Sequence, residues 1–305
     1  MGVGIVLVTF NRLEKLKIAL SKYERQSYPL DYILIVDNHS TDGTAEFLSK
    51  WKEIKAEYKK YVFTLESNTG GAGGFYKGME EAMKLDAEWI WLSDDDAYPR
   101  VDCIQNLMSA YNNFDLKTKE NTSALCATVY NNGEIHCAHR NHIVRTKFKL
   151  KFISTTVDEY KNDHFKIDIF SYVGTMIKKS VINEVGFDRN DFFIYCDDQE
   201  HSIRISKKGD IYVITNSIID HDTPPFNNSQ INWGRYYKKR NDLLMRKYNF
   251  PYRYYLLRYI KGYIREASVF SKNDPILRKE LKAAYHDARI NKTGLHKVYR
   301  PGWKP

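Results

Sequence analysis

Three consecutive aspartates, Asp94, Asp95 and Asp96, follow the short apolar run at residues 89–92. Like charges this close repel and raise one another's pKa, so their place after a buried strand is costly for folding. A divalent cation removes that cost, and carboxylates at alternate positions suit a hard, oxygen-preferring ion that also bridges a diphosphate. The pattern predicts a metal site; a solvated turn with helix-capping aspartates is the simpler alternative.

A glycine-rich segment, NTGGAGGF at residues 68–75, lies between two acidic strand ends. Its four glycines ahead of a predicted helix allow the backbone to pass close to a ligand, with amides directed at anionic oxygens. The segment matches neither the P-loop nor the strict dinucleotide spacing. It indicates a backbone contact with a ligand, although glycine-rich turns without a ligand are common.

Asp37 ends a second apolar run, YILIV at residues 32–36. In doubly wound sheets, ligands bind beyond the carboxyl ends of the strands. A carboxylate there can accept hydrogen bonds from a ribose or from the N–H group of a base. The alternative is an aspartate that caps a turn or a helix.

Two later clusters carry further titratable groups. Asp197 and Asp198 open a predicted helix, where carboxylates are common as capping groups; the functional alternative is a general base poised by its neighbours. His221 lies between Asp220 and Asp222 at a predicted strand end. A histidine there would complete a ligand set of oxygen and nitrogen atoms, which favours manganese over magnesium.

Hydrophobic patterning supplies the elements that position these residues. The apolar runs predict strands at 4–9, 32–36, 61–65 and 89–92, with helices at 12–23, 42–51 and 75–85. This alternation predicts an α/β fold with a doubly wound sheet. Further along, the patterns predict strands at 172–178 and 211–219 and helices at 101–115, 179–185 and 198–207.

The composition narrows the class of protein. With 43% hydrophobic and 28% charged residues, the 305-residue chain is neither disordered nor collagen-like. Four cysteines without a CxxC pair predict neither a disulfide framework nor a structural zinc site. We find no signal-peptide pattern and no apolar window of about 18 residues. We therefore expect a cytoplasmic protein.

The charge is distributed unevenly along the chain. Residues 235–305 contain 19 Lys and Arg but only 5 Asp and Glu, whereas the whole chain has a net charge of +9. The break at Thr223-Pro224-Pro225 predicts a body at 1–222 and a basic, tyrosine-rich helical region at 223–305, with helices at 233–248, 252–271 and 276–290. Such helices can lie on an anionic membrane; equally, their tyrosines can pack on the body while their lysines are solvated.

Taken in order, these motifs resemble family 2 inverting glycosyltransferases of the GT-A fold over residues 3–245. The resemblance begins with VTFNR at 8–12 and VDNHSTDGT at 36–44. Within that family, NTGGAGGF, the triple aspartate, FIYCDD at 193–198 and the later histidine resemble bacterial galactofuranosyltransferases. Rhamnosyltransferases share the general layout and the YYKKRN run at 236–241.

The resemblance implies a GT-A, Rossmann-like sheet that is mixed and mostly parallel, flanked by helices, with a basic C-terminal helical subdomain. It also implies residue roles. Asp94, Asp96 and His221 would hold Mn²⁺ or Mg²⁺, and Asp198, beside Asp197, would be the catalytic base. Donor binding would fall to Thr9, Phe10, Arg12, Asp37, Asn68, Gly71, Gly73, Asp94 and Asp95.

The implied activity is metal-assisted single displacement that moves galactofuranose from UDP-galactofuranose to a hydroxyl of a cell-surface glycan. The implied acceptor is linked to polyprenyl diphosphate, at the inner face of the plasma membrane. A rhamnosyltransferase using dTDP-rhamnose and a UDP-hexopyranose transferase are the enzyme alternatives. A non-catalytic sugar-nucleotide-binding protein is another alternative. A nucleic-acid-binding protein is not expected, because the acidic strand ends would repel phosphates and the chain carries no known binding motif.

Overall fold

The first half of the chain alternates strands and helices, as predicted. A computed structural model describes residues 1–223 and 233–304. Its first elements are β1 (Val3–Thr9), α1 (Leu13–Tyr23), β2 (Tyr32–Asp37), α2 (Thr44–Glu53), β3 (Lys59–Thr64), α3 (Gly70–Ala82) and β4 (Trp89–Asp94). β1 pairs in parallel with β2 and β4, and β2 pairs in parallel with β3. Every residue of β1 and β2 is buried, which is why these strands read as continuous apolar runs.

The second half of the sheet is mixed. The elements that follow are β5 (Ala97–Pro99), α4 (Cys103–Asn113), α5 (Leu116–Asn121), β6 (Thr122–Asn131), β7 (Glu134–Ile135), β8 (Arg140–Arg145), β9 (Leu150–Ser154), β10 (His164–Ile167), β11 (Ile169–Phe170), β12 (Thr175–Lys178), α6 (Lys179–Val185), α7 (Asp197–Ser206) and β13 (Asp210–His221). The strand order is β10-β13-β6-β12-β4-β1-β2-β3, and β11-β8-β9 form a separate sheet. β12 runs antiparallel to both β4 and β6. The sequence predicts a strand at 172–178, but β12 begins only at Thr175, so the prediction is wrong for its first three residues.

Helices cover both faces of the sheet. Side chains of α1, α2 and α4 pack on one face, in a core that includes Leu16, Trp51 and Leu107. Side chains of α3 and α6 pack on the other, with Met79 and Ile182 in its core. The predicted mixed α/β sheet flanked by helices is confirmed, and its parallel strands place their carboxyl ends at one edge.

The C-terminal region is helical and packs on the body. It contains α8 (Gly234–Asn249), α9 (Tyr252–Gly262), a π-helical segment (Tyr263–Phe270) and α10 (Pro275–Arg289). Its side chains share a core with Phe192 and Ile203 of the body. The predicted helix at 252–271 is α-helical only to Gly262, and Pro224 and Pro225 of the predicted boundary lie outside the described residues. None of the helices in the described part of the chain is long and apolar enough to cross a membrane.

The glycine-rich segment forms the start of α3, so the predicted helix start at residue 75 is wrong by five residues. A Cβ atom at Gly74 would lie 2.5 Å from Val8 Cγ1, and one at Gly78 would overlap Val6 Cγ1. These glycines let α3 approach β1 closely, so close packing decides the helical conformation despite the low helix propensity of glycine. Gly70, with a φ of +76°, lies against the carbonyl of Phe193.

We predict that Gly78→Ala lowers the free energy of unfolding by about 1–3 kcal/mol, because the added methyl overlaps the side chain of Val6. The matched control is Gly71→Ala, where a Cβ atom meets nothing within 4 Å, and alanine favours the helix. Urea denaturation of both variants measures the difference. Equal stabilities for the two variants would contradict the close approach of α3 to β1.

Candidate functional site

Three polar side chains meet where parallel strands end. In the strand register, Thr9 lies opposite Asp37, and Val8 lies opposite Asp94. The carboxyl ends of β1, β2 and β4 therefore form one edge, as expected for a doubly wound sheet.

Asn38, directly after β2, fixes the start of α3 beside this edge. Its Nδ2 donates to the carbonyl of Gly70 at 2.8 Å, and its Oδ1 accepts from the Thr69 amide at 2.9 Å. Its side chain is buried, so these bonds hold the first turn of α3 against the end of β2.

The protein itself compensates two of the three aspartates. Asp95 Oδ2 accepts a 2.7 Å hydrogen bond from Thr9 Oγ1. The Arg12 guanidinium donates from one nitrogen to Asp95 at 3.1 Å and to Asp96 at 2.7 Å. Lys15 adds a second cation 3.7 Å from Asp96. Residues at the start of α1 thus neutralise the buried carboxylates that follow β4.

The pairing of β13 with β5 places His221 beside this cluster. That strand begins directly after Asp96 and pairs antiparallel with the end of β13, which places His221 opposite Ala97. One ligand atom each from Asp94, Asp96 and His221 lies within 4.8 Å of the others, and His221 Nε2 is 3.3 Å from Asp96 Oδ1. Two carboxylate oxygens and an imidazole nitrogen are a donor set suited to a divalent ion such as Mn²⁺.

The electrostatics of the cluster disfavour the charged form most strongly at one carboxylate, that of Asp94. Burial, together with the charge of Asp96, raises the pKa of Asp94 to about 7. Burial also raises the pKa of Asp95. Burial acts in the same direction on Asp96, but the hydrogen bond to His221 and the charge of Arg12 outweigh it and lower the Asp96 pKa. A cation between Asp94, Asp96 and His221 would supply the missing positive charge, so the residues present fit a metal.

A cavity of about 270 Å³ opens beside the cluster. Seven of the nine predicted donor-binding residues line it, namely Thr9, Phe10, Arg12, Asn68, Gly71, Asp94 and Asp95. Trp233 and Pro301 complete the wall from the C-terminal region. We refer to this space as the first cavity.

Asp37 and Gly73 are the two predicted donor-binding residues outside that lining. Asp37 is fully buried; its Oδ1 accepts from the Ser40 amide at 2.9 Å, whereas its Oδ2 has no hydrogen-bond partner among the described residues. Gly73 is buried inside α3, and a Cβ atom there would overlap the side chain of Thr69. Asp37 is thus enclosed by the protein at the end of β2 and has no contact with the first cavity, whereas Gly73 contributes to the packing of α3.

A second cavity, of about 650 Å³, contains Asp197 and Asp198. It shares Asp94, Gly71 and Ile194 with the first cavity, so the two spaces meet beside the aspartate cluster. This junction brings the predicted base and the predicted metal ligands into one connected site.

The loop before Asp197 is strained and braced. Phe193, Tyr195 and Cys196 have φ values of 68°, 65° and 65°, a region that residues other than glycine rarely adopt. Asn241 Nδ2 on α8 donates to the carbonyls of Ile194 and Tyr195 at 2.9 Å each. Such strain persists only where surrounding contacts enforce it. The C-terminal helices therefore help to position the carboxylate pair.

The two carboxyl groups of this pair differ in acidity. Burial and the charge of Asp198 raise the pKa of Asp197 well above its ordinary range. Burial raises the pKa of Asp198 only to about 6, because the Gln199 amide, 2.7 Å from Asp198 Oδ1, stabilises the charged form. Asp198, whose charged form the Gln199 amide stabilises, is therefore the member of the pair better suited to carry the negative charge.

Basic residues of α8 and α9 line the second cavity, and they were not predicted as site residues. They are Arg235, Lys238, Lys239, Arg246 and Arg258. Arg246 and Arg258 both contact Asp242, at 2.9 and 3.2 Å. The positive charge of residues 235–305 was the signal in the sequence, but it does not reveal which of the cations face the cavity.

Comparisons with known proteins identify the family of the chain and its fold. The family model described as "Glycosyl transferase family 2" matches residues 4–186. The galactofuranosyltransferase GlfT1 of Mycolicibacterium smegmatis is 36% identical over 94 residues, which make up 31% of this chain and 30% of the relative. The match thus spans less than a third of that relative's length.

Two solved structures share the fold over nearly the whole chain. S. aureus TarS 1-349 in complex with UDP-GlcNAc has a TM-score of 0.59 at 13% identity, over 96% of this chain and 88% of that one. GalNAc-T7 with UDP, GalNAc and Mn²⁺ has a TM-score of 0.63 at 14% identity, over 95% and 56%. At these identities the likeness shows the fold, which is that of GT-A glycosyltransferases.

We predict that the affinity for Mn²⁺ falls by up to about tenfold for each pH unit below about 7, because the ion must displace the proton that Asp94, with a pKa of about 7, then holds. Calorimetry in buffers of different ionisation enthalpy measures both the affinity and the protons released. The control is Asp94→Asn, which we expect to lose both binding and proton release. An affinity that stays constant as the pH falls from 7.5 to 5.5 would contradict the assignment.

Proposed function

Since the chain belongs to glycosyl transferase family 2, we propose that this glycosyltransferase moves galactofuranose from UDP-galactofuranose to a hydroxyl group of a cell-surface glycan. The observation that carries the proposal is the junction of the two cavities at Asp94 and Gly71. It brings a cavity with nucleotide-binding features against a cavity that holds an ionised carboxylate. A transferase needs this arrangement, because donor and acceptor must meet at one carbon atom.

The first cavity is the proposed donor site. Asp37, the predicted uridine acceptor, has an unpartnered Oδ2 among the described residues, but it is fully buried and outside the cavity lining, so a uridine can reach it only if a local movement exposes it. Gly71, with open space where a Cβ would lie, leaves room for the sugar or the diphosphate. The similarity to a galactofuranosyltransferase over about a third of the chain supports galactofuranose as the sugar.

The proposed cofactor is Mn²⁺ or Mg²⁺, held by Asp94, Asp96 and His221, whose ligand atoms lie within 4.8 Å of one another. When bound, such an ion supplies positive charge that stabilises a departing diphosphate. Arg12 adds protein charge at the same place, because its guanidinium already contacts Asp95 and Asp96.

The proposed reaction is a single displacement with Asp198 as the general base. Its carboxylate takes the proton of the acceptor hydroxyl while that oxygen bonds to the anomeric carbon from the face opposite the leaving group. The bond between the anomeric carbon and the phosphate oxygen breaks, and UDP leaves with the electron pair. One displacement inverts the anomeric configuration. Burial and the charge of Asp198 raise the pKa of Asp197, so the charged form is disfavoured at Asp197 and the negative charge of the pair is better placed on Asp198.

The second cavity is the proposed acceptor site. Its wall of basic residues from α8 and α9 is suited to an acceptor that carries an anionic group, such as a glycan linked to polyprenyl diphosphate. We assign donor binding and catalysis to residues 1–222 and the acceptor wall to residues 223–305. An acceptor of this kind would place the enzyme at the inner face of the plasma membrane.

We predict that the protein binds UDP more tightly than dTDP, and UDP-galactofuranose more tightly than UDP-glucose, each in a manganese-dependent way. The reason for the first preference is the 2′-hydroxyl of the uridine ribose, which dTDP lacks and which can donate to a carboxylate at the end of β2. The reason for the second is the similarity to a galactofuranosyltransferase over about a third of the chain. Isothermal titration calorimetry with and without Mn²⁺ measures the four affinities. A preference for dTDP would favour a rhamnosyltransferase, and folded protein that binds none of the four would contradict a donor site in the first cavity.

We predict that Asp198→Asn lowers the turnover number by about 10²–10⁴-fold, because the amide cannot take the acceptor proton. UDP affinity is expected to stay nearly unchanged, since Asp198 lines the second cavity and not the first. The radiolabelled sugar transferred from the donor to an acceptor extract measures turnover.

The isosteric control is Asp197→Asn, which replaces the neighbouring carboxyl group, whose charged form is disfavoured by burial and by the charge of Asp198. We expect this variant to retain much more activity than Asp198→Asn. Normal turnover by Asp198→Asn, with activity lost in Asp197→Asn, would instead identify Asp197 as the base.

A further inference from the structure

The hairpin that joins β8 to β9 exposes an aromatic residue among cations. Residues 145–151, RTKFKLK, contain four basic residues and no acidic one. Phe148 near the tip is 63% exposed, and Lys147 Nζ lies 5.4 Å from its ring centroid. A single exposed phenylalanine is ordinary on a protein surface, so the neighbouring surface decides whether it has a role.

The outward face of α9 and of the segment after it carries a row of exposed apolar side chains. Leu256, Ile260 and Ile264 follow Tyr252 at intervals of four residues, and the four side chains are 43–58% exposed. Residues four apart lie in one row on a helix. Residues 252–265 contain four basic side chains and no acidic one. This row is therefore an exposed apolar stripe with cations beside it.

The hairpin and α9 belong to one surface. Tyr254 Oη donates to the Thr146 carbonyl at 2.8 Å, and an Arg246 nitrogen on α8 donates to the Leu150 carbonyl at 3.1 Å. A groove of about 270 Å³ lies between them, lined by Phe148 and Lys149 on one side and by Leu257 and Lys261 on the other.

This groove also leads toward the catalytic base. Arg246 and Arg258 line both the groove and the second cavity, which holds Asp198. A molecule held at the hairpin surface would thus be next to the proposed acceptor site. Of the tyrosines at the start of α9, Tyr252 belongs to this surface, whereas Tyr254 and Tyr255 are buried and do not.

We propose that the hairpin at residues 145–151 and the outward row on α9 dock on an anionic lipid bilayer. Aliphatic and aromatic side chains that protrude among cations have the chemistry of an interfacial element, whose apolar groups enter the headgroup region while the cations meet acidic lipids. Glu266, which follows the second segment and lines the groove, is paired with Lys239 and Arg258, so the remaining cations of the two segments favour a negatively charged partner. The proposed function enters this inference only as the purpose of docking, which is to bring a lipid-linked acceptor to the enzyme. Docking on the bilayer itself requires no catalysis.

The test is co-sedimentation of the full chain with vesicles of phosphatidylcholine alone and of phosphatidylcholine mixed with phosphatidylglycerol. We expect binding to the mixed vesicles only, with a loss of binding as salt is raised. In the double variant Phe148→Ser, Ile260→Ser, the partition coefficient should fall by at least about tenfold, because two apolar side chains no longer leave water.

The matched control is Ile54→Ser, Leu116→Ser, which removes two side chains that are 62% and 72% exposed on other elements. It should bind vesicles like the unaltered chain. Two double charge-reversal variants test the cations in the same way. The variant Lys147→Glu, Lys149→Glu should abolish vesicle binding, whereas Lys50→Glu, Lys52→Glu on α2 should not.

Equal binding to neutral vesicles, unchanged binding by Phe148→Ser, Ile260→Ser, or equal losses in the matched controls would overturn the proposal. UDP calorimetry on every variant separates this outcome from failure of the proposed function, since neither Phe148 nor Ile260 lines the first cavity. Normal UDP binding without vesicle binding would overturn the membrane surface alone. Vesicle binding without UDP binding would overturn the donor site alone.

Discussion

Electrostatic repulsion among three carboxylates at the end of β4 is the constraint around which the site is arranged. Two of them, Asp95 and Asp96, are at least 97% buried, and buried charges must be paired or neutralised. Arg12, one residue before α1, lies across both, and β5 turns back at once to bring His221 beside Asp96. The protein's own groups thus compensate the charge of Asp96 and part of the charge of Asp95, while the pKa of Asp94, raised to about 7, marks the position where compensation is least complete. The negative charge left uncompensated at Asp94 makes the cluster suited to a metal, because a bound cation would stabilise a fully neutralised cluster very little.

The second carboxylate pair depends on the C-terminal helices. Asp197 begins α7 after residues with left-handed backbone, and Asn241 on α8 holds the carbonyls that make this conformation stable. Arg240 adds a 2.9 Å hydrogen bond to the Phe192 carbonyl. The YYKKRN run at 236–241 therefore has a structural explanation: its last two residues fix the loop that precedes Asp197 and the proposed base, Asp198. In this chain α8 of the basic region stabilises that loop.

Local sequence patterns were sufficient for the parallel half of the sheet and insufficient for the rest. β1, β2 and β4 are continuous apolar runs with polar ends, so both the strands and the meeting of Asp37 with Asp94 at one edge followed from the sequence. The antiparallel insertion of β12 between β4 and β6 depends on pairing between distant segments, which no local pattern encodes. Gly70 to Gly74 were interpreted as a turn because glycine disfavours helices, yet close packing on Val8 outweighs that preference. Trp233 and Pro301 reach the first cavity from a region far along the chain, and only the tertiary structure could assign them there.

The placement of Asp242 links the catalytic site to the groove. Its partly buried carboxylate contacts both Arg246 and Arg258, and the charges of these two arginines outweigh burial and lower its pKa. An ion cluster of this kind is weak support for stability, because apolar side chains of similar volume stabilise a protein at least as well in such positions. A functional role therefore explains the position of Asp242 between the two arginines better than a contribution to stability does. The two arginines that Asp242 holds in place stand where the groove meets the second cavity. Because their positions are fixed before any ligand arrives, an anionic group can bind there without the entropic cost of ordering long, mobile side chains.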